Sequence, residues 1–333
     1  MILDGRDPAA VQRAAEVLRA GELLGLPTET VYGLAADADQ DSAVAKIFAA
    51  KGRPSDHPLI VHVADAQGVE HFASEVPTFA RALMQRFWPG PLTLILPRRA
   101  DRAAAAAGGQ SSVGVRCPSH PVAQALLRAA RDLGVHGVAA PSANQFGRVS
   151  PTTAAHVQGE FNDDLLILDG GACEVGIEST IVDCSRGAPV LLRPGRVTRE
   201  EIEATCGQPL RDKDTLATPA PRASGTLEAH YAPRAKVRLM DAAMMQTALD
   251  VLGADFDAGQ AAIAVYARSL LRVPSSKVIF RRMPDDAAAA AQQLFAALRD
   301  FDAQGVGLIW VEPPPDDTAW EGVRDRLQRA AAS

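Results

Sequence analysis

Through residues 8–207, strand-length apolar runs recur, and most of them give way to a polar turn pinned by proline or glycine. Segments 59–63, 92–96, 113–116, 165–168, 181–183 and 190–192 are rich in Val, Ile and Leu, the composition of strands buried in a sheet. Helical spacing fills several of the gaps, at 42–50, 78–87, 121–133 and 152–158, and a further short strand is expected at 22–26. The first helix is announced by Asp7 as N-cap and Pro8 at its first turn; Val11, Ala14, Ala15 and Leu18 share one face, and Gly21 stops it. Such alternation points to an α/β fold with one mixed sheet.

The texture changes after a helix expected at 198–206. Residues 207–233 carry Pro209, Pro219, Pro221 and Ser224-Gly225 with no sustained period, so this stretch reads as a long linker with a job beyond tethering. Beyond it a smaller α/β unit begins, with strands expected at 237–239, 261–266, 277–281 and 306–311. A helix between the last two starts at Pro284-Asp285-Asp286, where acidic residues suit the helix dipole, and ends before Gly305. The pattern is that of a small Rossmann-like sheet, but it lacks G-x-G-x-x-G and is assigned no dinucleotide. The expected domains are 1–207, a linker or lid at 208–235, and 236–333.

The formal net charge of −6 gives no global field to draw the chain onto nucleic acid or an anionic membrane. Any polyanion must be held by a local cluster of cations. Cys117, Cys173, Cys184 and Cys206 show no C-x-x-C spacing and read as reduced thiols. Met1 to Asp7 hold no apolar core of signal-peptide length, and no apolar run nears the ~20 residues of a membrane helix; the expectation is a cytoplasmic chain without membrane attachment. No P-loop, H-E-x-x-H or G-x-S-x-G occurs, which argues against those nucleotide, zinc and serine-hydrolase chemistries.

What remains is a set of polar clusters at strand ends. Pro27-Thr28-Glu29-Thr30 places two hydroxyls and a carboxylate after the strand at 22–26. Lys51-Gly52-Arg53-Pro54 follows a helix C-terminus, where cations complement the dipole or, fixed by Gly52 and Pro54, meet an anion. That helix end is expected to be open to solvent. His57 and His62 bracket a strand entrance, and a histidine there serves the core or a ligand. Arg116 ends a buried strand and needs an anionic partner; a bidentate carboxylate contact is a natural one. Pro141-Ser142-Ala143-Asn144, Gly176-Ile177-Glu178-Ser179-Thr180 and Leu192-Arg193-Pro194-Gly195 repeat the theme. Together they outline an anion-binding cleft at the ends of sheet strands.

The strings PTETVYGL, KGRPSDHPLIVHV, WPGPLT, VRCPSHP, APSAN, GIESTIVD, LLRPG and HYAP, in this order, resemble the Sua5 branch of the YrdC/Sua5 family. The resemblance is dense over residues 8–207 and looser beyond. It implies a YrdC-like twisted mixed sheet around a cation-lined cavity, with a smaller C-terminal Rossmann-like domain. It implies that L-threonine, bicarbonate and ATP, with Mg2+, give threonylcarbamoyl-adenylate and pyrophosphate. Separate partner proteins would then modify the adenosine at position 37 of tRNA. Carried over motif by motif, the ATP contacts are Lys51, Arg53, His57, Ser112, Ser142, Ser150, Arg193 and Tyr231; the threonine contacts are Thr30, His62, Arg116, Ala140 and Ser179. His57 stands where the family usually has a small polar residue, and Ser224-Gly225-Thr226-Leu227 departs from the commoner S-P-G-M/L. No residue is marked as a general base, and no metal ligand is assigned. One rival reading is a double-stranded-RNA-binding protein of the same fold, against which the acidic balance counts. Another, the related carbamoyl-transfer enzyme of hydrogenase maturation, would need zinc-finger cysteine pairs that the sequence lacks.

Overall fold

The apolar runs pair edge to edge because their backbone groups, once buried, have no other partners. In the computed structural model, residues 1–216, 218–252, 263–269, 271–273, 275 and 277–333 are described. They form two units, Met1–Phe146 with Ser150–Thr226, and Gly147–Val149 with Leu227–Ser333. The expected linker is therefore shared, residues 208–226 lying in the first unit and 227–235 in the second.

Among the described residues, one mixed sheet of eleven strands runs through the first unit. Its spatial order is Ile2–Asp4, Leu166–Asp169, Leu24–Leu26, Gly33–Asp37, Val138–Ala139, Ile60–His62, Ser112–Arg116, Leu92–Pro97, Thr180–Asp183, Val190–Arg193 and Arg211–Asp212. Ile60–His62 lies parallel to Ser112–Arg116 with His62 beside Arg116, so two expected ligand contacts meet by register alone. Helices cover the sheet. Pro8–Arg19 is capped by the Asp7 carboxylate, which accepts from Ala9 N at 3.0 Å, a contact worth about 1 kcal/mol. It buries Val11, Ala14, Ala15 and Leu18 against Leu126 and Leu127 of the helix Pro121–Asp132. A second core gathers Leu34, Ile47, Phe72, Val115 and Val182.

Boundaries shift by up to three residues from those the sequence predicts. The helix expected at 152–158 is Ala154–Phe161, because Thr153 rather than a residue upstream caps it through His156 N. Strands Ile2–Asp4 and Gly33–Asp37 were not expected.

Among the described residues, the second unit holds a four-stranded parallel sheet in the order Lys236–Leu239, Leu308–Val311, Ile263–Ala267, Val278–Arg282. The strand expected at 261–266 begins on two positions outside the described residues. Helix Ala287–Ala303 is capped by Asp286, whose carboxylate accepts from Ala289 N at 2.8 Å. No helix among the described residues is long and apolar enough to cross a membrane.

Candidate active site

Three polar loops of the first unit are closed onto one another by their backbones. The Thr28 hydroxyl donates to Val31 O at 2.6 Å and accepts from the backbone N–H of Thr30 and Val31, which turns the chain sharply after Leu26. Tyr32 N then donates to Pro151 O, Ala143 N to Tyr32 O and Leu34 N to Pro141 O; Val175 N and Gly176 N donate to the carbonyls of Glu29 and Thr30. A fourth loop joins them at Gly195: a Cβ there would lie 2.5 Å from Thr180 N and 2.8 Å from Glu178 O, so the loop after Val190–Arg193 can press against 178–180 only as glycine.

One cluster centres on Arg116, which is 4% exposed. Its Nη1 donates to Thr30 Oγ1 at 2.8 Å and its Nε to Gly90 O at 3.3 Å. Its Nη2 lies 2.7 Å from Glu29 Oε1. His62 adjoins it in register, and burial, with Arg116 second, pushes the imidazole pKa down to about 3. His62 is thus neutral throughout the physiological range and its Nδ1 lies 3.2 Å from Ile60 O. Ser179 and Thr93, both fully buried, share a hydroxyl hydrogen bond of 2.7 Å. Ala140 is buried and its N donates to Ile60 O at 3.0 Å. The buried carboxylate of Glu29 is a feature to which the sequence reading gave no role. Its signal was the requirement that Arg116 find an anion, which was assigned to a ligand alone.

A second cluster gathers cations. The helix Asp41–Lys51 ends at Gly52 in the left-handed region, φ 61°, and the loop at 142–146 folds over it. The expectation of a solvent-open helix end fails for Lys51, which is only 2% exposed. Its ammonium donates to Ser142 O at 2.6 Å and to Asn144 O, so the loop carbonyls replace water. Burial and then the nearby Arg53 depress its pKa well below the ordinary lysine value. His57 is lowered for the same two reasons and meets Phe146 edge-on. Arg53 Nη2 donates to Pro58 O at 2.9 Å and to Ser224 Oγ at 3.2 Å. Arg193 grips Ser179 O through Nε and Nη2 at 3.1 and 2.9 Å, and its Nη1 donates to Ser224 O at 2.9 Å. Ser150 is fully buried and donates to the Glu178 carboxylate. Ser112 lines a small pocket together with Ile60, Thr93, Ile181, Arg222 and Ser224. Burial first and then Arg53 disfavour protonation of Lys51 and His57, and such a site gains from an anion.

Ser179 ties Arg193 to the strand Leu92–Pro97, which pairs with Ser112–Arg116: its hydroxyl is on Thr93 and its carbonyl on Arg193. Tyr231 is the expected contact that the first unit does not bring together with the rest. It belongs to the second unit, 1% exposed at φ 61°, with Arg326 over its ring and Phe295 beside it. Asn144, also absent from the expected contacts, holds Lys51 through its backbone carbonyl.

A family model for the Sua5, YciO and YrdC proteins, described as telomere recombination, matches residues 16–195. A second, described as the C-terminal domain of threonylcarbamoyl-AMP synthase, matches 197–332. The threonylcarbamoyl-AMP synthase of Bacillus subtilis is 39% identical, covering 99% of this chain and 94% of its own. That of Pyrococcus abyssi is 37% identical, with 96% and 94% covered. The crystal structure of P. abyssi Sua5 complexed with L-threonine matches at a TM-score of 0.86 and 36% identity, covering 98% of this chain and 95% of that one. Escherichia coli YciO, at a TM-score of 0.51 and 23% identity over 59% of this chain and 93% of its own, shares the fold. With both parts of the sequence matched and the relatives aligned over nearly their full lengths, the chain belongs to the Sua5 branch of the YrdC/Sua5 family, the threonylcarbamoyl-AMP synthases.

Proposed function

We propose that this chain joins L-threonine, bicarbonate and ATP into threonylcarbamoyl-adenylate, releasing pyrophosphate, and that separate proteins in the cytoplasm pass the product to adenosine 37 of tRNA. The observation that carries the reading is that one unit holds both a buried Arg116 beside Thr30 and Glu29 and a cation set in which Arg53 and Arg193 share Ser224 and Arg53 lies close enough to Lys51 to lower its pKa. In this reading Arg116 takes the threonine carboxylate, with Thr30, His62, Ala140 and Ser179 around it. The cations, with His57, Ser112, Ser142 and Ser150, take the nucleotide.

No covalent nucleophile is needed. The threonine nitrogen adds to the one-carbon unit, and a carbamate oxygen then attacks the α-phosphorus. A carbamate is short-lived in water, so the protein's task is to hold two reactants together and exclude solvent. The charge that develops on the α-phosphoryl group and the leaving pyrophosphate falls to Lys51, Arg53 and Arg193. Among the described residues no trio of His, Cys, Asp or Glu side chains could enclose a metal. Mg2+ would enter as the companion of ATP and would offset triphosphate charge.

Pyrophosphate release from ATP should require both threonine and bicarbonate; release without threonine would sink the reading. Arg53→Ala should cut the rate at limiting ATP while the protein stays folded. Lys51→Ala should do the same and also lower stability by about 1–3 kcal/mol, since Ser142 O and Asn144 O lose their buried donor. Thermal melts alongside the assay separate the two effects.

A further inference from the structure

Glu29 raises a question that carboxylate binding by Arg116 does not answer. Its side chain is 4% exposed and that of Arg116 5%. Burying two charges costs several kcal/mol each unless hydrogen bonds satisfy them. Yet among the described residues neither Glu29 oxygen accepts a hydrogen bond, and Arg116 Nη2 donates none. The two groups lie 2.7 Å apart but out of hydrogen-bond alignment, with lone pairs and N–H donors still uncommitted. A buried polar group left this way in a folded protein calls for an explanation.

An amino-acid head group supplies one. It carries a carboxylate beside an ammonium, and a guanidinium beside a carboxylate is its complement in charge and spacing. We propose that Glu29 binds the α-ammonium of the threonine substrate and accepts the proton that this nitrogen must lose. The inference rests on the reading of the Arg116 pocket as the threonine site.

The step balances. Threonine ammonium and bicarbonate give the carbamate, one water and one proton. The N–C bond forms as the C–OH bond breaks. One nitrogen proton leaves with the hydroxide as water, and the other goes to the Glu29 carboxylate, which returns it to solvent after turnover. The groups facing Glu29 offer no competitor. Arg116 is a cation, and burial followed by Arg116 keeps His62 neutral. The Cys117 thiol is pushed up to about 11 by burial, and burial pushes Cys173 up as well, so neither supplies thiolate near neutral pH.

Glu29 thereby also selects for the amine. The probe is (2S,3R)-2,3-dihydroxybutanoate, which differs from L-threonine only in carrying a hydroxyl for the α-ammonium. Calorimetry on the full chain should find threonine bound tighter than this analogue by about a hundredfold or more, as a site built around a buried polar contact rejects a ligand lacking its partner. In Glu29→Gln the ratio should collapse to within a few-fold. Threonine-dependent kcat/KM should fall by about 10²–10⁴, the range for loss of a general base, and lose its acidic limb; Glu29→Asp should restore part of both. Equal binding of threonine and the analogue by the unmodified chain would overturn the proposal without any variant. So would Glu29→Gln retaining the wild-type ratio and pH profile. A chain that neither binds threonine nor releases pyrophosphate in its presence would instead overturn the reading of the site.

Discussion

Each unit buries a glutamate close to an arginine, and the two are handled in opposite ways. In the second unit Glu312, after the strand Leu308–Val311, accepts from Arg268 N and Ser269 N at 2.7 Å each and from the Ser269 hydroxyl at 2.9 Å, with Arg268 3.6 Å away. That carboxylate is a finished staple between two strand ends. In the first unit the Glu29 carboxylate has, among the described residues, only its charge contact with Arg116. Two buried carboxylates thus differ in whether the fold has used up their lone pairs. A saturated group holds structure, and an unsaturated one beside unsaturated donors is what a polar ligand can complete. Thr30, Lys51, His62, Arg116, Ser150, Ser179 and Arg193 all lie in the first unit.

The largest effect that would break this contrast is at Arg116. Arg116→Ala strands Glu29 as a lone buried charge, which should cost about 3–5 kcal/mol of stability. Threonine affinity should drop about ten- to a hundredfold, the worth of a charge-assisted contact, with ATP affinity nearly unchanged. Adding Glu29→Gln should return much of the stability and none of the affinity. If both ligands weaken equally by calorimetry, Arg116 is a structural residue.

Glu312→Ala is the counterpart. Removing an acceptor from three buried donors should cost about 2–3 kcal/mol, read as a lower melting temperature. Pyrophosphate formation per folded molecule should stay within twofold. A large loss of turnover in a folded variant would erase the distinction between staple and site.

His62 sharpens the comparison through pH. Its folded pKa of about 3 lies below its ordinary 6.5, so between those values the unfolded chain binds more protons. Its contribution to stability is complete above about pH 6.5 and is lost as pH falls toward 3. Between pH 7 and pH 5 the loss from this residue alone should be about 2 kcal/mol. His62→Gln should flatten that part of the curve in denaturant titrations; an unaltered slope would mean that the imidazole is not buried neutral.

Much of the first unit was legible because its chemistry is local. Pro8 and Asp7 mark a helix start, and Val-rich runs mark strands whatever lies around them. The strand Gly33–Asp37 was not legible, since glycine and alanine have little strand propensity and only its place between Leu24–Leu26 and Val138–Ala139 makes it one. Arg116's need for an anion was readable, but not that Glu29 already stands beside it. That contact depends on how a turn after Leu26 folds across the sheet. The burial of Lys51 escaped for a similar reason. Sequence spacing shows the helix end but not the loop at 142–146 that closes over it. Tyr231 was matched by its motif alone, and its packing on Phe295 and Arg326 depends on residues more than sixty positions away.

The smallest expected effect concerns Ser224, at the end of the linker stretch held by the first unit. Its hydroxyl accepts from Arg53 Nη2 and donates to Pro58 O at 2.7 Å, while its carbonyl accepts from Arg193 Nη1. The backbone around it is fastened too, Arg222 N donating to Gln110 Oε1 at 2.7 Å and the Arg222 side chain pairing with Asp56. Two cations assigned to the nucleotide are thus engaged by one serine. If phosphate and Ser224 compete for them, Ser224→Ala deletes the hydroxyl contacts, together about 1 kcal/mol, and ATP should bind up to about fivefold tighter. The carbonyl contact to Arg193 survives the change, which caps the gain. If the segment instead closes over bound nucleotide and adds contacts to it, the same substitution should weaken ATP by a similar factor. Protease cleavage within 208–226 separates the two independently of affinity. Competition predicts faster cleavage when ATP is added, because the serine is released from Arg53 and Arg193; closure predicts slower cleavage when ATP and threonine are both present. Unchanged cleavage and unchanged affinity would leave the segment a passive connector, and the contrast between the units would then rest on Glu29 and Arg116 alone.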